Sequence, residues 1–406
     1  MIVEILPSKA QGTITAPSSK SCGHRLLIAA SLASGESKIE NIELNDDISA
    51  TVACLRKMGA EIEIKDGVAN VHGISLGERK EKLSLFCNES GSTLRFLIPL
   101  SYIISAQSTF GGSGRLLERP QEVYFQLFNT ESSSFSKEGE AYVTNGVLKA
   151  GEYSLPGDVS SQYISGLLFA LPLLDGDSVI KLTTPLQSAP YIDITIDVLS
   201  SFGVEIVKKN DYFIIKGNQT YKPQKLFCEG DWSNSAFLHA FNLFNGNVTV
   251  NRLNENSFQG DKAYIDFFEK LKKGYSVIDI SACPDLGPVL IACSALLNGA
   301  KLTGTSRLKI KESDRGLAMK QELTKFGIEL ELNEDSIIIP KSEYHTPSAA
   351  LNCHNDHRVA MSLAIMCSIT GGVLEGAECV NKSYPNFFSD IEKLGINTNY
   401  QEMQTK

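Results

Sequence analysis

Residues 17–25 read Pro-Ser-Ser-Lys-Ser-Cys-Gly-His-Arg, placing Lys20 and Arg25 among small hydroxyl residues such as Ser21, just ahead of an apolar run. An ammonium, hydroxyl groups and the unsatisfied N–H groups of a helix start together suit a phosphate or a carboxylate. The same residues read as readily as an N-cap serine beside two solvated cations. Related clusters recur along the chain. Asn88-Glu-Ser-Gly-Ser-Thr-Leu-Arg95 sets Gly91 and two hydroxyls before an apolar segment, with an arginine one turn in. Gly157-Asp-Val-Ser-Ser-Gln162 does the same with Ser160, Ser161 and Gln162, and Ser188-Ala-Pro-Tyr191 is similar. The glycines of 111–114, followed by Arg119, match neither the phosphate loop nor the dinucleotide fingerprint.

The later clusters carry acids as well. Lys309-Ile-Lys-Glu-Ser-Asp-Arg315 holds Lys311, Glu312 and Arg315, and reads either as a ligand-binding stretch or as a solvated first helical turn. Asn355-Asp-His-Arg358 opens another apolar segment; Cys353 and His354 beside it lack a zinc spacing, so no metal is expected. Asp285, alone before the apolar run 289–297, suits a helix cap as well as a base. Lys20, Arg25, Arg119, Lys311, Arg315, Arg358 and Lys382 are enough cations for two anionic ligands. Two like unit charges about 4 Å apart repel by roughly 4 kcal/mol at an effective dielectric near 20, so a two-anion site needs such a surplus. These cations come from both halves of the chain, which suggests a cleft that closes over its reactants and excludes water.

The elements that must position these residues follow a repeat. Leu55-Arg-Lys-Met-Gly59-Ala-Glu-Ile62 reappears as Leu199-Ser-Ser-Phe-Gly203-Val-Glu-Ile206 and as Leu323-Thr-Lys-Phe-Gly327-Ile-Glu-Leu330. Weaker copies end at Gly274 and Gly395, and the faintest at Asn129. Each reads as an amphipathic helix closed by a left-handed C′ residue and, in the clearest copies, followed by an alternating strand. The intervals of 70, 74, 71, 53 and 68 residues divide the whole chain into six units. Three units apiece make two pseudo-symmetric halves, the second starting near Gly230–Ser235.

Composition bounds the rest. The 406 residues are 42% hydrophobic and 21% charged with a net charge of −9, ordinary for a globular protein and against a general nucleic-acid binder. Nine scattered cysteines form no disulfide framework and fit a reducing compartment. Residues 1–7 lack a signal-peptide pattern, and the apolar runs 94–105 and 163–174 are too short to span a bilayer. The expectation is a cytoplasmic protein, not bound to membrane or nucleic acid.

Taken in order, Pro17-Ser-Ser-Lys20-Ser21 with Arg25, Gly91-Ser-Thr-Leu-Arg95, Arg119-Pro, Ser160-Ser-Gln162, Pro190-Tyr-Ile-Asp-Ile-Thr195, Lys311-Glu-Ser-Asp-Arg315, Asp356-His-Arg358 and Lys382-Ser-Tyr-Pro resemble the 5-enolpyruvylshikimate-3-phosphate synthase family over essentially the full length. The resemblance implies a mixed α/β fold of two pseudo-symmetric domains, each of three βαβαββ units. It divides them as 1–18 plus 229–406 and 19–228, with a hinge near 17–20 and 226–231. It implies transfer of the enolpyruvyl group of phosphoenolpyruvate to the 5-hydroxyl of shikimate 3-phosphate, by a monomer without cofactor or metal, and a target for glyphosate.

Carried over residue by residue, Lys20 touches both substrates. Ser21, Arg25, Ser160, Ser161, Gln162, Ser188, Tyr191, Asp285 and Lys311 hold shikimate 3-phosphate. Gly91, Arg119, Gln162, Arg315, Arg358 and Lys382 hold phosphoenolpyruvate. Asp285 is the base for the hydroxyl and Glu312 the acid at the methylene carbon. Arg307 departs from the pattern, which has asparagine there. The alternatives are the related transferase acting on UDP-N-acetylglucosamine and a non-catalytic anion-binding relative. Arg115-Leu-Leu-Glu-Arg119 lacks the cysteine usual in the former, and retention of both Asp285 and Glu312 argues against the latter.

Overall fold

A computed structural model of the chain describes residues 1–401. It separates into two compact units, 1–17 with 230–406 and 18–229, so the chain passes between them at Pro17–Ser18 and at Glu229–Gly230. Each unit encloses its own apolar core.

Among the described residues six sheets form, three in each unit, and five of them share one topology. In each of the five, a parallel pair is extended by two antiparallel strands. Lys80–Phe86 lies parallel to Ser105–Gly111, which pairs antiparallel with Ala141–Gly146 and through it with Ser133–Glu138. The sixth sheet contains only Gln11–Thr15 parallel to Asn247–Asn251. Its unit lacks the closing hairpin: after Gly274 the chain enters Ser276–Asp279, which starts the next sheet beside Ala300–Thr303. The missing hairpin accounts for the short 53-residue interval.

The repeated helix ends are as the pattern requires at four glycines. Gly59, Gly203, Gly327 and Gly395 all have positive φ, which side chains with a Cβ adopt at a cost. Two ends depart from it: Gly274, with φ of 151° and ψ of −169°, is nearly extended, and Asn129 has φ of −87°. Its side-chain oxygen instead accepts the N–H of Phe135 at 2.8 Å, closing the helix end on the following strand.

Each unit is built around three helices that are buried nearly all round, their polar residues included. In one they are Lys20–Leu32, Gly91–Ile104 and Ser161–Ala170. In the other they are Trp232–Ala240, Gly287–Leu296 and His357–Thr370. Among the described residues no helix is long and apolar enough to cross a membrane.

Helix Gly91–Ile104 contains Pro99, whose missing N–H leaves the Arg95 carbonyl without its intrahelical donor. The buried Tyr124 hydroxyl donates to that carbonyl at 2.6 Å. Gly166 admits this contact, since a Cβ there would lie 2.4 Å from the Arg95 oxygen and 2.5 Å from the Tyr124 hydroxyl. Tyr124→Phe should therefore leave a buried carbonyl unsatisfied and cost on the order of 1–3 kcal/mol. Urea unfolding measures this, and an unchanged midpoint would show that the hydroxyl does not support the helix.

Candidate active site

Serine and aspartate caps start the central helices. Ser19 accepts the N–H of Cys22, Ser90 that of Thr93 and Ser160 that of Gln162; in the other unit Asp231 accepts from Asn234 and Asp356 from Arg358. Caps of this kind leave other first-turn N–H groups, with the positive end of the helix dipole, available to an anion. The cap and the anion-binding readings of residues 17–25 are therefore compatible, because the cap builds the helix end.

In unit 18–229 the N-termini of the three central helices are bonded together. Lys20 donates to Asp47 at 2.8 Å, Thr93 Oγ1 contacts the Asp47 carbonyl at 3.5 Å, and Gln162 Nε2 donates to Ser92 Oγ at 3.0 Å. Arg95 holds the other face of the Gln162 amide, donating to Oε1 at 2.8 Å. Gly91 lets Arg119 lie against the helix start, since a Cβ on it would meet Arg119 Nη1 at 2.6 Å. Arg25 is buried and donates to Thr195 Oγ1, the Ser21 carbonyl and the Tyr191 carbonyl at 2.7, 2.7 and 2.9 Å. Burial pulls its guanidinium down to about 10, so a nearby anion would restore its charge preference. Ser188, which precedes helix Ala189–Ser201, is in the left-handed region with φ of 54°.

In unit 1–17 with 230–406 the same convergence carries carboxylates. Arg315, 1% exposed, donates to Asp285 Oδ1 at 2.9 Å, Glu312 Oε2 at 2.7 Å and Asp356 Oδ2 at 2.9 Å. Arg358 joins Asp285 Oδ2 at 3.0 Å to Ser233 Oγ at 2.8 Å, and Ser233 donates on to Asp261 at 3.0 Å. Lys311 Nζ lies 3.2 Å from Asp285 Oδ1. Lys382 donates to the Asn355 carbonyl at 2.6 Å. Burial opposes the charge of Arg315, yet Asp356, Glu312 and Asp285 together raise its pKa. Lys311 is shifted down by burial, with Arg315 adding to the shift and Asp285 opposing it. Arg307 is buried nearby and donates to the Ser281 carbonyl.

The structure thus brings Lys311, Glu312, Arg315, Asp285 and Arg358 into one bonded group, and Gly91 with Arg119, Gln162 with Arg95, and Arg25 with Ser21 and Tyr191 into pairs and triads. Sequence reasoning left out Asp47, Arg95, Thr195, Ser233 and Asp356 as site residues. Asp356 and Arg95 stood inside recognised motifs. Asp47 follows Asn45, the N-cap of helix Asp46–Met58, and reads as an ordinary first-turn acid. Among the described residues no cluster of three or more His, Cys, Asp or Glu is arranged to hold a metal.

Comparison with solved structures shows that this fold is shared with EPSP synthase. Two structures of EPSP synthase from Acinetobacter baumannii superpose with TM-scores of 0.76 and 0.77, at 23% and 22% identity. They cover 98% and 99% of this chain and 100% of each matched chain. The family model for EPSP synthase (3-phosphoshikimate 1-carboxyvinyltransferase) matches residues 6–391, and the chain belongs to that family. It is 42% identical to the 3-phosphoshikimate 1-carboxyvinyltransferase of Clostridium botulinum (strain Eklund 17B / Type B) and 44% identical to that of Clostridium acetobutylicum. Both alignments cover 97% of this chain and 97% of the relative.

His24, between Lys20 and Arg25, is held neutral: burial first, then those two cations, lower its pKa. The unfolded chain therefore binds more protons near the ordinary histidine pKa, so stability rises with pH there. This contribution is complete above about 6.5 and is lost as pH falls from that value through the lower folded pKa. The drop in urea midpoint from about pH 7 to about pH 5 should be smaller in His24→Gln than in the wild type. Equal drops would remove His24 as a source of acid sensitivity.

Proposed function

We propose that the chain transfers the enolpyruvyl group of phosphoenolpyruvate to the 5-hydroxyl of shikimate 3-phosphate and releases inorganic phosphate. The observation that carries this reading is the sharing of one buried guanidinium, Arg315, by Asp285 and Glu312, with Lys311 and Arg358 on Asp285. Adding an alcohol across the double bond of an enol phosphate needs a base at oxygen and an acid at carbon, within a field of cations for the phosphate that leaves.

In the bare protein these acids neutralise the cations. The phosphate and carboxylate of phosphoenolpyruvate compete for Arg315, Arg358 and Lys382, and thereby release Asp285 and Glu312 from their ion pairs. Asp285 then accepts the proton of the substrate hydroxyl as the hydroxyl oxygen attacks the enol phosphate carbon of phosphoenolpyruvate. Glu312 protonates the methylene carbon. A unit negative charge about 4 Å away opposes ionisation of a carboxyl by roughly 4 kcal/mol at an effective dielectric near 20, so the bound anion helps Glu312 carry its proton. The tetrahedral ketal phosphate then loses phosphate as Glu312 takes a proton back from the methyl carbon.

Lys20 serves both substrates. Ser21, Arg25, Ser160, Ser161, Gln162, Ser188, Tyr191 and Lys311 serve shikimate 3-phosphate, while Gly91, Arg119 and Gln162 serve phosphoenolpyruvate. All nine cysteines are buried and none forms a disulfide among the described residues, which supports action in a reducing cytoplasm, and we include a monomeric state in the proposal. Glyphosate competes with phosphoenolpyruvate in this reading.

Phosphate release from phosphoenolpyruvate should depend on shikimate 3-phosphate and be absent with UDP-N-acetylglucosamine. Release with neither acceptor would sink the enzyme reading. Asp285→Asn and Glu312→Gln should lower kcat by about 100-fold or more, the size general acid–base catalysis supplies, with shikimate 3-phosphate binding retained. Loss of binding with kcat preserved would contradict the assigned roles. Gly91→Ala should displace Arg119 and raise the KM for phosphoenolpyruvate more than that for shikimate 3-phosphate. Equal effects on the two would separate Gly91 from the phosphoenolpyruvate site.

A further inference from the structure

Glu322 is 2% exposed yet carries a carboxylate, a combination that occurs when partners fix it in place. It lies in the last turn of helix Arg315–Thr324, the end at which the helix dipole disfavours negative charge. Its helical setting therefore does not account for it, and its bonding does. Oε2 accepts from Lys325 Nζ at 2.8 Å and from the Asn352 N–H at 2.9 Å, and Oε1 contacts His354 Nε2 at 2.8 Å. Burial alone would raise the Glu322 pKa, but these three contacts overcome it and hold the group below the ordinary glutamate value. Lys325 also donates to the Ala350 carbonyl at 2.9 Å, drawing the approach to the same turn onto the helix.

The turn so held contacts the three cations assigned to phosphoenolpyruvate: its Asp356 accepts from Arg315 and from the Arg358 N–H, and its Asn355 carbonyl accepts from Lys382. His354 and Asn355 are consecutive non-glycine residues in the left-handed region, with φ of 52° and 51°. Such residues cost about 1–2 kcal/mol each and persist where surrounding contacts impose them. His354 N–H donates to Asn352 Oδ1 at 2.6 Å, Asn355 offers its carbonyl to Lys382, and Asp356 accepts from Arg315 and from Ser313. Helix Arg315–Thr324 thus grips this turn at both ends, through Arg315 on Asp356 and through Glu322 on Asn352 and His354. The ring closes on the residues that set where Arg315, Arg358 and Lys382 stand.

We propose that Glu322 is a positioning residue for phosphoenolpyruvate: through Asn352 and His354 it holds the 352–356 turn in the conformation that places Arg315, Arg358 and Lys382. The inference rests on the assignment of those three cations to phosphoenolpyruvate. Removing the carboxylate frees the two left-handed residues to relax, and displaces the cations without touching the shikimate 3-phosphate contacts of the other unit.

The test compares wild type, Glu322→Ala, Glu322→Gln and His354→Ala. For each, the KM values for both substrates, the calorimetric affinity for each substrate titrated alone so that no turnover occurs, and the thermal melt are measured. Glu322→Ala should raise the KM and dissociation constant for phosphoenolpyruvate about tenfold, as expected from losing hydrogen bonds to a charged group, with shikimate 3-phosphate affinity changed less than about twofold. Glu322→Gln should recover most of this, because its carbonyl can accept from Asn352 and Lys325 while its amide faces His354. His354→Ala should give an intermediate loss, and it reads the same turn if Glu322→Ala fails to fold.

Unchanged phosphoenolpyruvate affinity in Glu322→Ala, or equal weakening of both substrates, would overturn the proposal. So would a glutamine variant as impaired as alanine. If the wild type binds phosphoenolpyruvate but releases no phosphate, the proposed reaction fails, while the binding comparison still decides the role of Glu322.

Discussion

One guanidinium organises the acid-bearing group of unit 1–17 with 230–406. Arg315 is almost fully buried, and a buried cation is tolerable only where its donors meet acceptors of opposite charge. Three carboxylates meet it, from a 3-10 turn, from the residue three before it and from the cap of helix His357–Thr370. Each of those acids in turn fixes something else. Asp285 gathers Lys311 and Arg358, Asp356 caps a central helix, and Glu312 remains on the edge of the group. The cluster is a set of mutually balanced charges, and in the proposed mechanism an entering anion would shift that balance.

The two units solve one construction problem twice. Three helices buried on nearly all sides fill each core, and their N-termini are drawn together by short polar bonds. In unit 18–229 the bonds run through neutral groups and one ion pair, leaving a surface suited to binding. In the other they run through paired acids and cations, leaving groups that can move protons. The same architecture thus carries different chemistry because the residues at the helix starts differ.

Much of this was legible in the amino-acid sequence because it is local. Caps such as Ser19 and Asp356, the glycines at 59, 203 and 327, and the alternation that follows them all declare themselves within a few residues. The interval of 53 residues reads in the sequence as one more step of the repeat, and only the strand pairing shows that a hairpin is missing. What could not be read were bonds between elements distant in the chain. Asp47 looks like any first-turn acid until Lys20 is placed against it, and Glu322 looks like a surface glutamate of an amphipathic helix. Asn129 was misjudged as a left-handed cap because asparagine tolerates that conformation, whereas here its side chain serves the next strand.

The bond between Tyr124 and the Arg95 carbonyl bears on how this helix came to be. With an ordinary residue at position 99, that carbonyl would be satisfied within the helix and the phenol would be surplus. With proline there, the phenol becomes indispensable, while the glycine at 166 is required in either case, since a Cβ on it would lie 2.4 Å from the Arg95 carbonyl oxygen. A lineage can therefore gain the tyrosine first and the proline afterwards at little cost, but the reverse order passes through a damaged intermediate. The two positions form a ratchet: once proline is present, the tyrosine cannot revert alone.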